Sequence, residues 1–345
     1  MSLTNERLHD PLRIWALTGA RAGDNDQVVA LAEAIGLPFE IRQLEFNALC
    51  NLGPRLLGRS LASLTARSRE ALLAEEPPDL TISAGHRSVP AVQALRHRSG
   101  GRTRSIHTGF PRISPAHFDL VIATPQYPIA DHPNLLRIPY ALTRAVTAVA
   151  DASDEALLGA LPKPRRLLIV GGPTLFWRID QPALTGTLAK MIEEAAKDGG
   201  SVIVTTSPRT PVELERSIIE ALAEAKAATL LARPGKPPSY SSLLHAADLI
   251  RVTAESVSMI SDAIWTGKPM AVVPVAKSVA GAAYMSLMRQ LRPGRPVYPQ
   301  DLRFFWRELE RIGATQELNS PDASINREMK RILDRVRPLL NRFNT

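Results

Sequence analysis

The chain has 345 residues, of which 45% are hydrophobic and 22% are charged, and it carries a net charge of +8 with one cysteine, Cys50. This composition is typical of a globular protein and excludes a disordered chain, a coiled coil and a collagen-like repeat. The length predicts about two domains. A lone cysteine also excludes an internal disulfide and a cysteine-based zinc site.

No apolar run approaches the roughly 18 residues of a membrane span, and the first residues, MSLTNERLHDPLR, contain no apolar signal core. These features predict a cytoplasmic protein. The basic excess suits three kinds of partner, namely nucleic acid, anionic lipid or a phosphorylated small molecule. Aromatic residues make up only 5% of the chain. Because grooves for single strands depend on stacking against aromatic rings, we expect no nucleic-acid partner.

Short apolar or β-branched runs alternate with helical patterns, which predicts parallel sheets covered by helices. In the first half, strands are predicted at residues 14–18, 39–44, 80–83, 104–107, 120–124 and 135–138, and helices at 25–35 and 62–74. In the second half, strands are predicted at residues 166–170, 201–206, 228–231, 249–253 and 270–273, and helices at 181–197, 211–225 and 256–266.

The pattern restarts after a segment in which Pro162 and Pro164 interrupt any helix. We therefore predict an α/β fold of two Rossmann-like domains, residues 1–150 and 151–345, that face each other across a cleft. A final amphipathic helix is predicted at residues 322–343, because apolar residues recur there at helical spacing. We expect this helix to cross back to the first domain.

Ligands of open parallel sheets bind beyond the carboxyl ends of the strands, so the candidate site residues are sought there. The loop predicted after the first strand carries Gly19 and Gly23, which permit a tight turn near a ligand. The polar residues Asp24, Asn25 and Gln27 follow. Capping of the next helix by Asp24 or Asn25 is the alternative interpretation. The glycine spacing does not match the dinucleotide fingerprint.

Two further loops of the first half carry histidine and arginine. His86 suits proton transfer and Arg87 suits an anionic ligand, and the next loop adds Gly109 and Arg112. A lone histidine is more often a packing or capping residue, and that alternative stays open. Because the histidines have no metal-ligand spacing, we assign no metal site.

The second half repeats this arrangement. Gly171 and Gly172 follow a strand and let the backbone approach a phosphate closely. Thr206, Ser207 and Arg209 follow the next strand and suit a phosphate or a carboxylate. A proline-terminated turn with capping hydroxyls is the alternative here.

The segment over residues 249–273 is predicted to form a strand, a polar turn, a helix and another strand. Ser256 and Ser258 lie at the helix start, where free N–H groups and the helix dipole favour a diphosphate. Asp262 follows Ser258 by four residues and shares its face. Its carboxylate can accept two hydrogen bonds from ribose hydroxyls. A well-capped amphipathic helix is the alternative.

The run S-D-A-x-x-T-G-K-P around Asp262 resembles the donor helix of two-domain B-type glycosyltransferases, such as the peptidoglycan N-acetylglucosaminyl transferase. The resemblance implies that Asp262 holds the ribose, that the helix start meets the diphosphate, and that Gly171 and Gly172 form the first donor loop. The nucleotide-sugar site then comprises Gly171, Gly172, Thr206, Ser207, Arg209, Glu255, Ser256, Val257, Ser258, Met259 and Asp262.

Six segments across nearly the whole chain resemble the elongated-mitochondria (mitochondrial fission) family of plants and bacteria. They are AGDNDQ (22–27), PDLTISAGHRS (78–88), HTGFPR (107–112), DLVIATPQ (119–126), TTSPRTP (205–211) and VTAESVSMISDA (252–263). Members of this family have been labelled nucleoside-diphosphate-sugar epimerases. The resemblance therefore implies the fold and leaves the activity open.

The leading hypothesis is a metal-independent glycosyltransferase that needs no cofactor and takes a nucleoside-diphosphate sugar in its second domain. Asp24 or His86 is predicted to act as the base, and Arg209 to stabilise the leaving diphosphate. The acceptor side comprises Gly19, Gly23, Asn25, Gln27, Arg87, Gly109 and Arg112. The basic surface favours an acceptor at an anionic membrane and peripheral placement at the inner membrane.

Two other hypotheses remain. One is a nucleoside-diphosphate-sugar epimerase of the non-hydrolysing type, which uses the same fold and needs paired acids and bases. Asp24, Asp26, His86 and Glu255 are its candidate residues. The other is a non-catalytic scaffold that binds a protein partner.

Overall fold

The computed structural model divides into two compact units. Unit 1 comprises Met1–Ile138 and Asn326–Thr345, and unit 2 comprises Pro139–Ile325. The predicted boundary at residues 150 and 151 lies outside the described residues, and the division itself falls after Ile138. The structure describes residues 12–144, 152–291, 293, 301–313 and 322–341.

Unit 1 is built on a six-stranded parallel sheet in the order β2-β1-β3-β4-β5-β6. Its strands are β1 (Ile14–Thr18), β2 (Glu40–Gln43), β3 (Leu80–Ala84), β4 (Arg104–Thr108), β5 (Leu120–Ala123) and β6 (Leu135–Arg137). Its first helices are α1 (Ala22–Ile35), α2 (Pro54–Leu57), α3 (Ala66–Leu73) and α4 (Gly85–Arg98).

The order of strands in unit 1 decides which loops meet. β1 pairs with β3, with Leu17 beside Ser83, and each of these strands leads into a helix. Because parallel strands end at the same edge of a sheet, α1 and α4 begin side by side. Below this edge the sheet is anchored by a core that includes Trp15, Val92 and Phe118, all at most 1% exposed.

Unit 2 has a five-stranded parallel sheet in the order β10-β9-β7-β11-β12 and a separate antiparallel pair, β8 and β13. Its strands are β7 (Arg165–Val170), β8 (Trp177–Ile179), β9 (Ser201–Thr206), β10 (Ala228–Ala232), β11 (Leu249–Thr253), β12 (Met270–Val273) and β13 (Val275–Lys277). Its helices are α5 (Ala152–Gly159), α6 (Gln181–Asp198), α7 (Val212–Ala223), α8 (Tyr240–Ala246), α9 (Val257–Trp265), α10 (Val279–Leu291) and α11 (Leu302–Arg311).

The C-terminal helix is α12 (Asp322–Asn341), and the last two residues of its predicted range, 342 and 343, lie outside the described residues. From residue 326 onward it belongs to unit 1. Arg331 and Arg335 donate hydrogen bonds to the backbone carbonyls of Arg137 and Pro133. Two positions of its apolar stripe are buried, Ile332 at 1% and Val336 at 0% exposure.

Two segments predicted as loops are helical. The helix after β1 begins at Ala22 and not at the predicted residue 25, so Asp24 lies inside α1 together with Asn25 and Gln27. The residues from Gly85 to Ser88 form the first turn of α4, which continues through Pro90. Glycine and proline are typical of turns, but the apolar residues that follow are buried and hold α4 against the sheet.

Candidate functional site

Unit 1 contains a pocket at the carboxyl ends of β1 and β3. The two predicted bases, Asp24 and His86, both line it. Its other polar lining residues are Thr18, Arg21, Asn25, Arg87 and Ser88. The strand order thus brings together two segments that are distant in the sequence, since Asn25 and Gly85 are 60 residues apart.

The carboxylate of Asp24 lies against the start of α4. A Cβ atom added to Gly85 would lie 2.7 Å from Asp24 Oδ2, and Gly85 has a φ of +68°. Burial raises the pKa of Asp24, while the charge of Arg21 opposes that rise. The interpretation of Asp24 as a helix cap is wrong, because α1 begins earlier and its N-cap residue is Arg21, whose side chain makes no capping bond.

Asn25 fixes the connection between β1 and α1. Its Oδ1 accepts a hydrogen bond from Gly19 N at 2.7 Å, and its Nδ2 donates to Gly19 O at 2.8 Å. Gln27 similarly donates to Gly23 O at 3.3 Å. Asn25 therefore does not cap the helix. Its amide holds the backbone of Gly19 at the pocket, whereas the amide of Gln27 holds the first turn of α1.

Three guanidinium groups act on His86. Burial, together with the charges of Arg112, Arg21 and Arg87, lowers the pKa of His86 to about 4. The imidazole is therefore neutral at pH 7. Burial and the charges of Arg21 and Arg87 also lower the pKa of Arg112. Arg112 has a φ of +61°, a left-handed conformation that is uncommon for residues other than glycine.

Gly109 has a φ of +82° and starts the same connection after β4. Its N–H donates to Ile122 O at 2.8 Å, which ties the connection to β5. This backbone carries Arg112 to the edge where the pocket lies. Strained backbone of this kind is concentrated at functional sites.

Two residues near the pocket were missed in the sequence. Burial and the charge of Asp24 raise the pKa of Tyr127 to about 12. His107 is fully buried, and its Nδ1 lies 2.9 Å from Ser83 Oγ. Burial lowers the pKa of His107 to about 3. Tyr127 follows β5, and His107 lies near the end of β4, at the same edge of the sheet. Only the strand order shows that these two residues approach Asp24 and His86.

The glycine loop of unit 2 is closely packed against protein. A Cβ on Gly171 would lie 1.8 Å from Glu255 Oε1, and a Cβ on Gly172 would lie 2.4 Å from the carbonyl oxygen of Arg209. Gly171 N also donates to Thr253 Oγ1 at 2.9 Å. The backbone of Arg209 therefore requires glycine at position 172, and a side chain at position 171 would displace the Glu255 carboxylate, before any phosphate is considered.

Glu255 is a buried acid at the end of β11. The residue is only 3% exposed, and this burial raises the pKa of its carboxyl group. Oε1 accepts a hydrogen bond from Thr253 Oγ1 at 3.2 Å, whereas Oε2 has no hydrogen-bond partner among the described residues. A carboxyl group in this state suits proton transfer.

The segment after β9 is a self-contained turn. Thr210 Oγ1 accepts a hydrogen bond from Ser207 N at 2.9 Å, and Ser207 Oγ accepts one from Arg209 N at 3.3 Å. Thr206 and Ser207 are each 7% exposed, while Arg209 is exposed. The turn with capping hydroxyls is therefore the structure here, and Arg209 alone projects a charge from it.

The start of α9 matches its prediction as a capped helix. Ser256 is the N-cap residue, and its side chain accepts a hydrogen bond from Met259 N at 3.4 Å. Ser258 is exposed. Asp262 is only 5% exposed and accepts a hydrogen bond from the Tyr240 hydroxyl at 3.1 Å. Although Ser258 and Asp262 are four residues apart, they do not share an open surface.

Val257 and Met259, also assigned to the nucleotide-sugar site, are half-buried and pack against the core of unit 2. Their side chains therefore do not form part of an open surface. Only their backbone N–H groups, in the first turn of α9, are left to meet a ligand.

Among the described residues, no group of three or more His, Cys, Asp or Glu side chains is placed to hold a metal ion. No helix in the described part of the chain has the length and apolar character to cross a membrane.

The sequence matches the model of the family described as "Mitochondrial fission ELM1" over residues 22–299. It is 27% identical over 228 residues to the mitochondrial fission protein ELM1 of Arabidopsis thaliana, which covers 58% of this chain and 52% of that protein. The chain thus spans about half the length of this relative. It is also 22% identical over 296 residues to the uncharacterized protein RP120 of Rickettsia prowazekii, covering 75% and 82%.

Two solved structures resemble this one over nearly their full lengths. A Listeria monocytogenes protein assigned as a UDP-N-acetylglucosamine 2-epimerase has a TM-score of 0.51 at 14% identity, covering 95% of this chain and 96% of that one. The S. aureus MnaA–UDP co-structure has a TM-score of 0.50 at 11% identity, covering 96% and 97%. These likenesses confirm the predicted α/β fold with two parallel sheets, a fold that B-type glycosyltransferases and non-hydrolysing epimerases share.

Proposed function

Since the chain belongs to the Mitochondrial fission ELM1 family and has a glycosyltransferase-like fold, we propose that it binds a nucleoside-diphosphate sugar and transfers the sugar to an acceptor hydroxyl. The S. aureus structure that it resembles contains UDP. The observation that carries the proposal is a carboxyl group at the carboxyl edge of each sheet, Asp24 and Glu255, whose pKa burial raises. Such groups are typical of acid–base sites.

In unit 2 the donor diphosphate lies at the start of α9. The N–H groups of its first turn and the positive end of the helix dipole favour a diphosphate there. Arg209 supplies a cation nearby, since its charge opposes the rise that burial causes in the pKa of Glu255. Asp262 already accepts a hydrogen bond from Tyr240, so its contact with a ribose requires that bond to be exchanged.

In unit 1 the acceptor loses its proton to Asp24. Burial raises the pKa of Asp24, which strengthens it as a base, and lowers that of His86 to about 4, which weakens it. The acceptor oxygen attacks the anomeric carbon as its proton passes to Asp24. The bond from that carbon to the diphosphate oxygen breaks, and the nucleoside diphosphate leaves with the electron pair.

Epimerisation is the second candidate function, and Glu255 favours it. An epimerase needs an acid or base beside the sugar ring, and Glu255 is a buried acid with an unpartnered Oε2 among the described residues. The two resembling structures named above include one assigned as an epimerase. Product analysis separates the functions, because transfer releases nucleoside diphosphate whereas epimerisation yields an isomeric nucleotide sugar.

The experiment that tests the donor site is calorimetry with UDP on the full chain. Ser258→Glu places a negative charge at the exposed start of α9, so we expect UDP affinity to fall more than about tenfold. Thr185→Glu is the matched control, because it places the same charge on an exposed position of α6. Absence of UDP binding by the unmutated protein, or an equal effect of both variants, contradicts the proposal.

A further inference from the structure

The connection between β2 and α3 in unit 1 exposes a group of leucines. Leu49, Leu52 and Leu56 are 44%, 52% and 78% exposed, and they lie on two short helices, the 3-10 helix Ala48–Leu52 and α2. We call residues 48–59 the leucine–arginine segment. Single exposed apolar side chains are common on proteins, but several in one short segment are typical of an interaction surface.

The same part of the chain carries positive charge without acidic residues to balance it. Between Glu45 and Glu70 the sequence contains no aspartate or glutamate, and it contains four arginines, at positions 55, 59, 67 and 69. All four are exposed. Among the described residues, none of their guanidinium groups has a hydrogen-bond or ion-pair partner. The segment therefore combines apolar side chains with cations that are free to meet an anionic partner.

The leucine–arginine segment is held firmly in unit 1. Cys50 is only 5% exposed, and Pro54 at the start of α2 is also buried. Asn51 Oδ1 accepts a hydrogen bond from Arg87 Nη2 at 3.3 Å, which ties the segment to the first turn of α4. Because these residues face the protein, the exposed leucines beside them project from its surface.

A surface cavity of about 500 Å³ adjoins the segment at Arg59. Arg96, His97 and His117 also line it, and none of the described residues that line it is acidic. Arg96 already forms an ion pair with Asp119 at 3.5 Å and donates to the His117 carbonyl oxygen. Arg59 is therefore the arginine of this cavity whose charge is left for a ligand.

Exposed leucines beside unpaired arginines fit an anionic lipid bilayer. Leucine side chains enter the boundary of the acyl chains while arginine side chains stay at the level of the headgroups. Each basic residue near the surface adds to the attraction by anionic lipids. A second copy of this chain fits less well, because an isologous contact brings the same unbalanced positive charges together. A protein partner is also less suited, because protein interfaces are enriched in aromatic residues and residues 47–59 contain none.

We propose that the leucine–arginine segment docks unit 1 on the surface of an anionic membrane. Its exposed leucines enter the bilayer, and Arg55 and Arg59 contact the headgroups. The segment adjoins the unit 1 pocket, since Arg87 both lines that pocket and donates to Asn51. A membrane bound here would present a lipid-borne acceptor to Asp24. That consequence rests on the proposed function, whereas the docking surface does not.

The first test is co-sedimentation of the full chain with lipid vesicles in the absence of nucleotide. Vesicles of equimolar phosphatidylglycerol and phosphatidylcholine are compared with vesicles of phosphatidylcholine alone. We expect binding to the anionic vesicles at least about tenfold tighter than to the neutral ones, and weaker at high salt. No binding to the anionic vesicles, or equal binding to both kinds, contradicts the proposal. Since no nucleotide is present, this result is separate from any failure to bind UDP.

The apolar part of the surface is tested by Leu52→Gln/Leu56→Gln. We expect this double variant to bind the anionic vesicles more than about tenfold less tightly, because leucine that enters the bilayer is lost. The matched control is Leu157→Gln/Leu175→Gln, which removes two exposed leucines of unit 2 and should leave vesicle binding unchanged. An equal loss in both double variants would show that the segment is not the docking surface.

The charged part is tested by Arg55→Gln/Arg59→Gln. We expect binding to the anionic vesicles to weaken roughly ten- to thirty-fold and to depend less on salt. Arg178→Gln/Arg216→Gln is the matched control, because it removes two exposed arginines of unit 2 and changes the net charge equally. If both pairs weaken binding to the same extent, net charge alone is responsible and the proposal fails.

Two further measurements keep these results decisive. Urea denaturation is measured for each variant, and Leu56→Gln replaces the double leucine variant if that protein does not fold, because Leu56 is the more exposed of the two. A folded Leu56→Gln protein that binds like the parent is then evidence against the proposal. Sedimentation velocity without vesicles tests the second copy. A dimer that the leucine substitution dissociates assigns this surface to self-association and overturns the membrane proposal.

Discussion

Gly172 offers a sharp test of how unit 2 is packed at its candidate donor site. A Cβ atom at this position would lie 2.4 Å from the carbonyl oxygen of Arg209 and 2.5 Å from its carbonyl carbon. Ordinary contacts begin at 3.4 Å, so the two backbone segments must separate by about 1 Å in Gly172→Ala. Because the obstacle is backbone, we expect the free energy of unfolding to fall by about 1–3 kcal/mol.

The assay is urea denaturation followed by tryptophan fluorescence, and Gly186→Ala is the matched control. Gly186 lies within α6, and a Cβ there meets nothing within 4 Å. Alanine favours a helix over glycine, so this variant is expected to gain about 0.5–1 kcal/mol. The two glycine substitutions should therefore change stability in opposite directions. A Gly172→Ala protein as stable as the parent would refute the packing argument.

Three further changes test the sites. Gly171→Ala forces the Glu255 carboxylate to turn away, so formation of the isomeric nucleotide sugar, the reaction that Glu255 favours, should stop at a smaller stability cost than that of Gly172→Ala, measured by product analysis and denaturation. Asp24→Asn should slow transfer roughly 10²–10⁴-fold while UDP affinity, measured by calorimetry, stays unchanged. The pKa of His107 is about 3 in the folded protein. Its contribution to the free energy of unfolding is therefore complete above about pH 6.5. As the pH falls toward 3, that free energy decreases by about 1.4 kcal/mol per pH unit. Denaturation at several pH values should show that slope reduced in His107→Gln.

The control for the pH experiment is His117→Gln, because His117 is exposed. The sign follows from proton binding: between pH 3 and 6.5 the unfolded state holds a proton on His107 that the folded state lacks, so acid favours unfolding. An unchanged slope in His107→Gln would contradict this assignment. Full turnover in Asp24→Asn would remove Asp24 as the base.

The strands were predictable because their burial leaves a direct mark on the sequence. Parallel strands covered on both faces appear as continuous apolar runs, and the predictions at residues 14–18, 201–206, 249–253 and 270–273 match β1, β9, β11 and β12. The antiparallel pair of β8 and β13 was missed, since each strand has only three residues. Such short segments carry too few residues to show a period.

The contacts in the candidate sites likewise include some that the sequence predicts and others that it does not. Asp24 and His86 could be placed together because both follow strands, and strand ends share an edge. The proximity of Tyr127 to Asp24 depends on the order of β1, β3, β4 and β5, which the sequence does not contain. The hydrogen bond between Asp262 and Tyr240 likewise joins α9 to α8, and no local pattern indicates it.

The two candidate sites differ in what a ligand must displace. In unit 1 the polar groups surround an open pocket, with Asn25 holding the backbone in place. In unit 2 the carboxylate of Asp262 already accepts a bond from Tyr240, and Ser207 is engaged in its own turn. A buried polar group gives up such a bond only for an equal partner. Ligand binding should therefore leave α4 unchanged, whereas a ribose contact in unit 2 requires α8 or α9 to adjust, which hydrogen exchange of their amides can detect.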